Sequence, residues 1–302
     1  MKKIALALLL GGLSLSAWAK MPVVASFSIV ADMTREIGGD RVEVVSLVGP
    51  DQDAHVFQPA PADVKKLAGA KVFVVNGLGF EGWLGRLSRS ASFKGTLVEA
   101  SHGIQPLKAE DAEHEHGGAD HDHGHDGLDP HAWHDPVLVE TYIRNIASGL
   151  SRADPEGAKT YAQRAADYTT RVRAAHQWAA KSFAAIPAAQ RKVLTSHDAF
   201  HYLGKRYAIS FLAPQGVSTD TEASAKQVSR LVRQIRTDKV SAVFIENMAD
   251  RRLLDQLARE AGVQVGGKLY SDALSGPAGP AASYLSMFRY NVETLLKALT
   301  KR

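Results

Sequence analysis

Residues 154–187 read DPEGAKTYAQRAADYTTRVRAAHQWAAKSFAAIP. Asp154 is a good helix N-cap, because its carboxylate can accept from the free N–H groups of a first turn. Pro155 suits the first helical position, where no N–H is needed. Apolar residues then recur at Ala158, Tyr161, Ala165, Tyr168, Val172, Ala175, Ala179 and Phe183. Steps of three and four place them on one stripe of a helix. Pro187 stops it. About thirty residues at ~1.5 Å each span roughly 45 Å, well beyond the usual ~3 turns. A helix of that length between two α/β halves serves as a connector.

On its N-terminal side, β-rich runs alternate with helical patterns. Pro22–Phe27, Val42–Val48, Lys71–Asn76 (KVFVVN) and Thr96–Glu99 read as strands, with helices over Ser28–Gly38, Pro61–Ala70 and Phe80–Ser88. On its C-terminal side, strands over Lys192–Thr195, Ile209–Leu212, Ala242–Glu246 and Val263–Leu269 alternate with helices over Ala199–Tyr207, Ala225–Arg236 and Arg251–Ala261. An amphipathic helix follows over Ala281–Leu299. Near-continuous apolar strands in βαβα order belong to buried parallel sheets. The fold class is therefore α/β: two lobes with parallel sheets joined by one long, rigid helix. The predicted divisions are a signal peptide (1–19), an N-terminal lobe (20–150), the connecting helix (151–187) and a C-terminal lobe (188–302).

The first residues indicate export. Lys2 and Lys3 form a positive n-region, Ile4 to Leu15 an apolar stretch, and Ala17-Trp18-Ala19 a small–x–small cleavage site. The apolar stretch is too short to span a bilayer. The sequence has no cysteine, which excludes disulfides, thiolate metal ligands and a lipid anchor on a mature N-terminal Cys. The expectation is a free periplasmic protein. The net charge of +4 comes from scattered Lys and Arg, so no basic stripe points to nucleic acid.

Residues 108–127 contain Leu128-flanked His, Asp, Glu and Gly but no aliphatic side chain larger than Ala. They cannot bury enough apolar surface to offset ordering, and read as a disordered loop. Its His114, His116, His121, His123 and His125 alternate with acids, a composition that binds a dication in shifting geometries. Either it is an auxiliary, weaker site that collects metal, or it is a solvated linker.

Elsewhere four side chains sit where a strand ends or a helix begins: His55, His131, His197 and Asp272. Open α/β sheets bind ligands at the carboxyl ends of strands. The spacings of 66 to 76 residues form no short metal motif, and a lone His after a strand is more often a surface residue or a support for another side chain. With no thiolate present, any metal must take nitrogen and oxygen ligands.

The contexts of these residues, taken together, resemble the metal-binding solute-binding proteins of ABC transporters, the TroA-like family (cluster A-I), and within it the ZnuA-type zinc branch. The resemblance rests on Asp53-Ala-His55, Asp129-Pro-His131-Ala-Trp, Thr195-Ser-His197-Asp-Ala-Phe200-His-Tyr, Ser218-Thr-Asp-Thr-Glu-Ala-Ser224 and Met287-Phe-Arg-Tyr-Asn291. It covers essentially the whole chain after residue 19. It implies a metal buried in the interlobe cleft, held by His55 and His131 from the first lobe and His197 and Asp272 from the second. It also implies delivery to a membrane permease with its cytoplasmic ATPase, with a periplasmic metallochaperone as a further partner, by a monomer that is no enzyme.

Three imidazoles and a carboxylate suit tetrahedral Zn²⁺. Manganese or iron, in the same transporter family, is the alternative cargo. A zinc hydrolase is a more distant one, since four protein ligands would close the open position that catalysis needs. His134 stands where the family usually has an apolar residue, and is either a surface or supporting His or an alternative ligand. Glu246, at the end of AVFIE, is either a surface cap or an acceptor for a ligand His. A long connecting helix should resist wide hinge closure, leaving small lobe tilts or loop disorder for release.

Overall fold

Val23, Val24, Val72, Phe73, Val74 and Val75 are β-branched or aromatic and fully buried, which is what the centre of a parallel sheet covered on both faces demands. The computed structural model describes residues 19–109, 127–220 and 225–300. Residues 1–18 of the predicted signal peptide and the five loop histidines lie outside them. The N-terminal lobe runs β1 (Met21–Phe27), α1 (Ser28–Gly38), β2 (Val42–Val48), α2 (Pro61–Ala68), β3 (Val72–Val75), α3 (Leu84–Ser90) and β4 (Thr96–Glu99). The chain then passes through α4 (Pro136–Ala153) and α5 (Ala158–Ala184). The C-terminal lobe runs β5 (Lys192–Leu194), α6 (His201–Tyr207), β6 (Ser210–Leu212), α7 (Ala225–Thr237), β7 (Ala242–Glu246), α8 (Arg251–Ala261), β8 (Val265–Leu269) and α9 (Tyr284–Thr300).

Each lobe has a four-stranded sheet, in the orders β2-β1-β3-β4 and β6-β5-β7-β8. All pairings are parallel. The two orders are the same topology, and each reverses direction beside its first strand. That reversal opens a crevice at the carboxyl ends of the strands, and the two crevices face each other. In β8, Gly266 leaves space that a Cβ would take from the Phe244 ring, 2.8 Å away. The strand keeps two glycines there at the cost of local stiffness.

The connector begins differently from its sequence pattern. Asp154 does cap, accepting from Gly157 N–H at 3.3 Å, but the first turn, Pro155–Gly157, is 3-10. The α-helix proper has 27 residues, or about 40 Å. Asp154 also takes both Arg41 guanidinium donors, at 2.8 and 3.0 Å, and the Tyr161 hydroxyl at 2.6 Å.

The predicted stripe explains how α5 joins the lobes. Tyr161, Tyr168 and Val172 are buried in the N-terminal core, and Ala179 and Phe183 in the C-terminal one. One continuous apolar face is thus shared between two cores. The structure adds a second bridge that the sequence pattern did not signal as such. On α9, Tyr284 and Met287 belong to the first core, while Phe288, Val292, Leu295 and Leu299 belong to the second. Each large apolar side chain so buried stabilises the joint by about 1.5–3 kcal/mol. Hydrogen bonds across the cleft add direction: Trp133 Nε1 donates to Ser271 O (3.0 Å) and Leu274 N to Ser28 Oγ (2.9 Å).

Candidate metal centre

His55 follows β2, His131 follows β4 and the loop after it, His197 follows β5, and Asp272 follows β8. The two facing crevices bring all four together. One ligand-type atom from each lies within 4.8 Å of the others. The Asp272 carboxylate is at the middle: Oδ2 is 3.3 Å from His55 Nε2 and 3.1 Å from His197 Nε2, and Oδ1 is 3.5 Å from His131 Nε2. The side chains are 3% exposed for His55 and 0% for the other three. The three Nε2 atoms and both carboxylate oxygens take no hydrogen bond within the protein. Buried polar atoms without partners are costly. Five converging on one point fit a cation as their common partner, and the N₃O donor set is one that a divalent transition metal accepts.

The far nitrogens are held from behind. Asp129 Oδ1 sits 2.7 Å from His131 Nδ1 and also accepts the His131 backbone N–H at 2.9 Å. Asp53 Oδ1 accepts the His55 backbone N–H at 2.9 Å. The same Asp-x-His turn therefore sets both N-terminal histidines, through a side chain bonding the backbone two residues on. On the other lobe, Glu246 Oε1 accepts the N–H groups of Ser196 and His197 at 2.8 and 2.9 Å, and Oε2 lies 2.6 Å from His197 Nδ1. Glu246 is buried, so it is the supporting acceptor of the sequence reading and not a surface cap. A carboxylate on Nδ1 keeps the proton there and leaves Nε2 free to coordinate.

Aromatic rings wall the site. Phe80 meets the His55 ring edge-on at 4.7 Å and Trp133 at 5.0 Å, and Trp133 meets His131 at 5.1 Å. Burial pushes the His55 imidazole below its ordinary pKa, with Asp272 pulling against it. For His197 burial also pulls down, but Glu246 and Asp272 outweigh it and hold the imidazole well above 6.5. Burial would raise the Asp272 carboxyl, and the imidazoles of His197 and His131 outweigh it, so it stays well below 3.8.

His134 is not on the surface. It is buried, outside the four-residue cluster, and its ring lies 4.5 Å from Phe200. Burial, with the nearby His131 imidazole acting the same way, pushes it down to about 3, so it is a neutral packing residue. Sequence reasoning gave no role to Asp129 or His201. The Asp two residues ahead of each N-terminal His was the available signal for the first. Nothing local marks His201. A cavity of about 500 Å³ borders the centre, with Asp53, Ser196, His197, Gln215, Thr219 and Met248 among its lining residues.

Residues 23–298 match the family model described as ZnuA, zinc-uptake complex component A, periplasmic. The chain belongs to the TroA/ZnuA family of metal-binding substrate-binding proteins. It is 31% identical over 281 residues to a manganese-binding lipoprotein, MntA, of Halalkalibacterium halodurans, covering 93% of this chain and 89% of the relative. It is 32% identical over 279 residues to the iron-binding protein YfeA of Yersinia pestis, covering 92% and 86%. Its fold matches the periplasmic zinc binding protein TroA of Treponema pallidum with a TM-score of 0.85 at 27% identity, covering 94% of this chain and 100% of that one.

TroA/ZnuA proteins are solute-binding components of ABC transporters, not enzymes. The chain is accordingly an extracytoplasmic metal-binding protein that works with a membrane permease and its ATPase. The expected zinc branch is narrower than these relatives, whose names divide among manganese, iron and zinc. Lipoprotein in the name of some relatives also runs against the expected absence of a lipid anchor. Among the described residues no helix is long and apolar enough to cross a membrane.

Proposed function

We propose that this protein captures Zn²⁺ in the periplasm with His55, His131, His197 and Asp272 and hands it to an ABC importer. The observation that carries the reading is the set of three imidazole Nε2 atoms and a carboxylate that converge within 4.8 Å with no other partner. Three neutral imidazoles and one anion match tetrahedral zinc. Zinc also outcompetes manganese and iron(II) at a nitrogen-rich site of given geometry. The chain acts as a monomer. It divides as a signal peptide (1–19), a first lobe (20–150), a connector (151–187) and a second lobe (188–302). The absence of cysteine from all 302 residues supports a protein free of a thioether-linked lipid. The loop histidines at 114, 116, 121, 123 and 125 form an auxiliary collector, filled by free metal or by a metallochaperone.

A second reading, manganese or iron, draws support from the Asp272 carboxylate. Both its oxygens lack hydrogen-bond partners and both face imidazoles, so it can bind a larger, higher-coordinate ion through two oxygens. The deciding experiment is a competition titration of zinc against manganese, with elemental analysis of protein purified from the periplasm of metal-replete cells. One equivalent of zinc, retained against excess manganese, is expected. One equivalent of manganese or iron in that preparation would sink the zinc assignment. Unchanged binding in His131→Ala and His197→Ala would sink the site.

A further inference from the structure

We propose that His201 is a positioning residue for the metal centre, clamped between a carboxylate of each lobe so that it fixes Asp129 behind His131. The inference rests on the reading that His131 ligates the metal. His201 opens α6, four residues beyond His197. Its Nδ1 lies 3.4 Å from Asp129 Oδ2 and its Nε2 lies 2.9 Å from Asp198 Oδ1. Both ring nitrogens therefore face carboxylate oxygens, which only accept. Two carboxylates flanking the ring favour its imidazolium form. Burial opposes that charge, and Asp129 and Asp198 outweigh it, holding the group up at about 10.

Asp129 has two oxygens with different work. Oδ1 takes both N–H donors of His131. Oδ2 is buried with no hydrogen bond of its own, and the His201 ring is the cation beside it. Without that cation, a buried carboxylate would be left with one oxygen unbalanced, and its favoured rotation would take Oδ1 off the His131 line. Neighbouring contacts on α6 act on the same strip of chain. The Tyr202 hydroxyl donates to Asp129 O (2.9 Å) and accepts Leu107 N–H (3.0 Å), and Arg206 pairs with Asp135 at 2.6 Å. The helix that follows one C-terminal ligand thus docks on the segment carrying an N-terminal one. His201 is the member of that contact aimed at the carboxylate supporting His131.

The test is a double-mutant cycle on the full chain, with Zn²⁺ as probe and a chelator as competitor. His201→Gln keeps a side chain that can donate but removes the charge. It is expected to weaken zinc about tenfold, the low end for loss of support behind a ligand. Asp129→Asn should weaken it by about 10–100-fold. If His201 acts through Asp129, adding His201→Gln to Asp129→Asn changes affinity by less than about twofold. Effects that multiply would overturn the proposal, as would wild-type affinity in the single variant. A merely structural role would lower apo thermal stability and multiply. Should His201→Gln fail to fold, Asp198→Asn opens the other side of the clamp and is held to the same comparison. Wild-type binding by His131→Ala would mean that the site reading failed; lost binding there with a multiplying cycle would mean that only this inference did.

Discussion

Replacing Glu246 by Gln should cripple zinc binding without touching a ligand. The wild-type carboxylate accepts two backbone N–H groups with Oε1 and faces His197 Nδ1 with Oε2 at 2.6 Å. Glutamine has the same shape but only one acceptor oxygen. If that oxygen stays with the backbone donors, the amide NH₂ meets Nδ1. His197 must then give up its Nδ1 hydrogen and carry it on Nε2, the atom that faces the metal. Turning the amide round instead sets NH₂ against two backbone donors, which is worse. Coordination therefore forces one buried donor against another, a penalty of about 1–3 kcal/mol, or roughly 5- to 150-fold in affinity. Loss of the anion behind the ligand acts in the same direction. A chelator competition at pH 7.5 reads this directly, with circular dichroism and apo melting as controls for folding. Zinc affinity within twofold of wild type in Glu246→Gln, while His197→Ala abolishes binding, would refute the tautomer argument.

His197 holds a proton well above pH 6.5 in the metal-free protein, so zinc must displace it. Calorimetry at pH 7 in buffers of different ionisation enthalpy should show about one proton released per zinc, and heats independent of buffer would contradict this. His201, raised from 6.5 to about 10 because its two carboxylates outweigh burial, contributes stability that is complete below pH 6.5 and lost as pH rises towards 10. Apo melting temperatures should fall across that window in wild type and less in His201→Gln. Removing Arg206, whose guanidinium spans the cleft to a 7% exposed Asp135 side chain, should destabilise the apo protein by about 1–3 kcal/mol, measured by urea unfolding. Gly149→Val should destabilise by about 1–3 kcal/mol, because a Cβ at Gly149 would stand 2.2 Å from Val98 Cγ2.

The lobes were legible because their signals are local. The βα alternation, the apolar strands and the α5 stripe follow from side-chain periodicity and need no knowledge of contacts. Helices over Ser28–Gly38 and Arg251–Ala261 and strands over Val42–Val48, Thr96–Glu99 and Ala242–Glu246 have the bounds their sequence predicts. The α-helical part of α5 starts one turn after Pro155, since Pro155–Gly157 closes as a 3-10 turn capped by Asp154. The sequence leaves His134 open between a surface or supporting His and an alternative ligand, and it packs against Phe200 as a buried ring. Burial, which fixes its charge, is a property of the surroundings.

The sequence by itself determined the α/β class, the long connector, the absence of thiolate ligands and the identity of four side chains at strand or helix ends. It named those four through a family resemblance, since spacings of 66 to 76 residues carry no geometry. Only the tertiary structure decided that they meet, because that depends on two crevices being turned towards each other by the shared faces of α5 and α9. It also decided what stands behind each ligand. Asp129 stands in a local Asp-x-His turn with His131, but Glu246 and His201 act through distances of a few ångströms to residues far away in the chain, and no local pattern encodes such a distance.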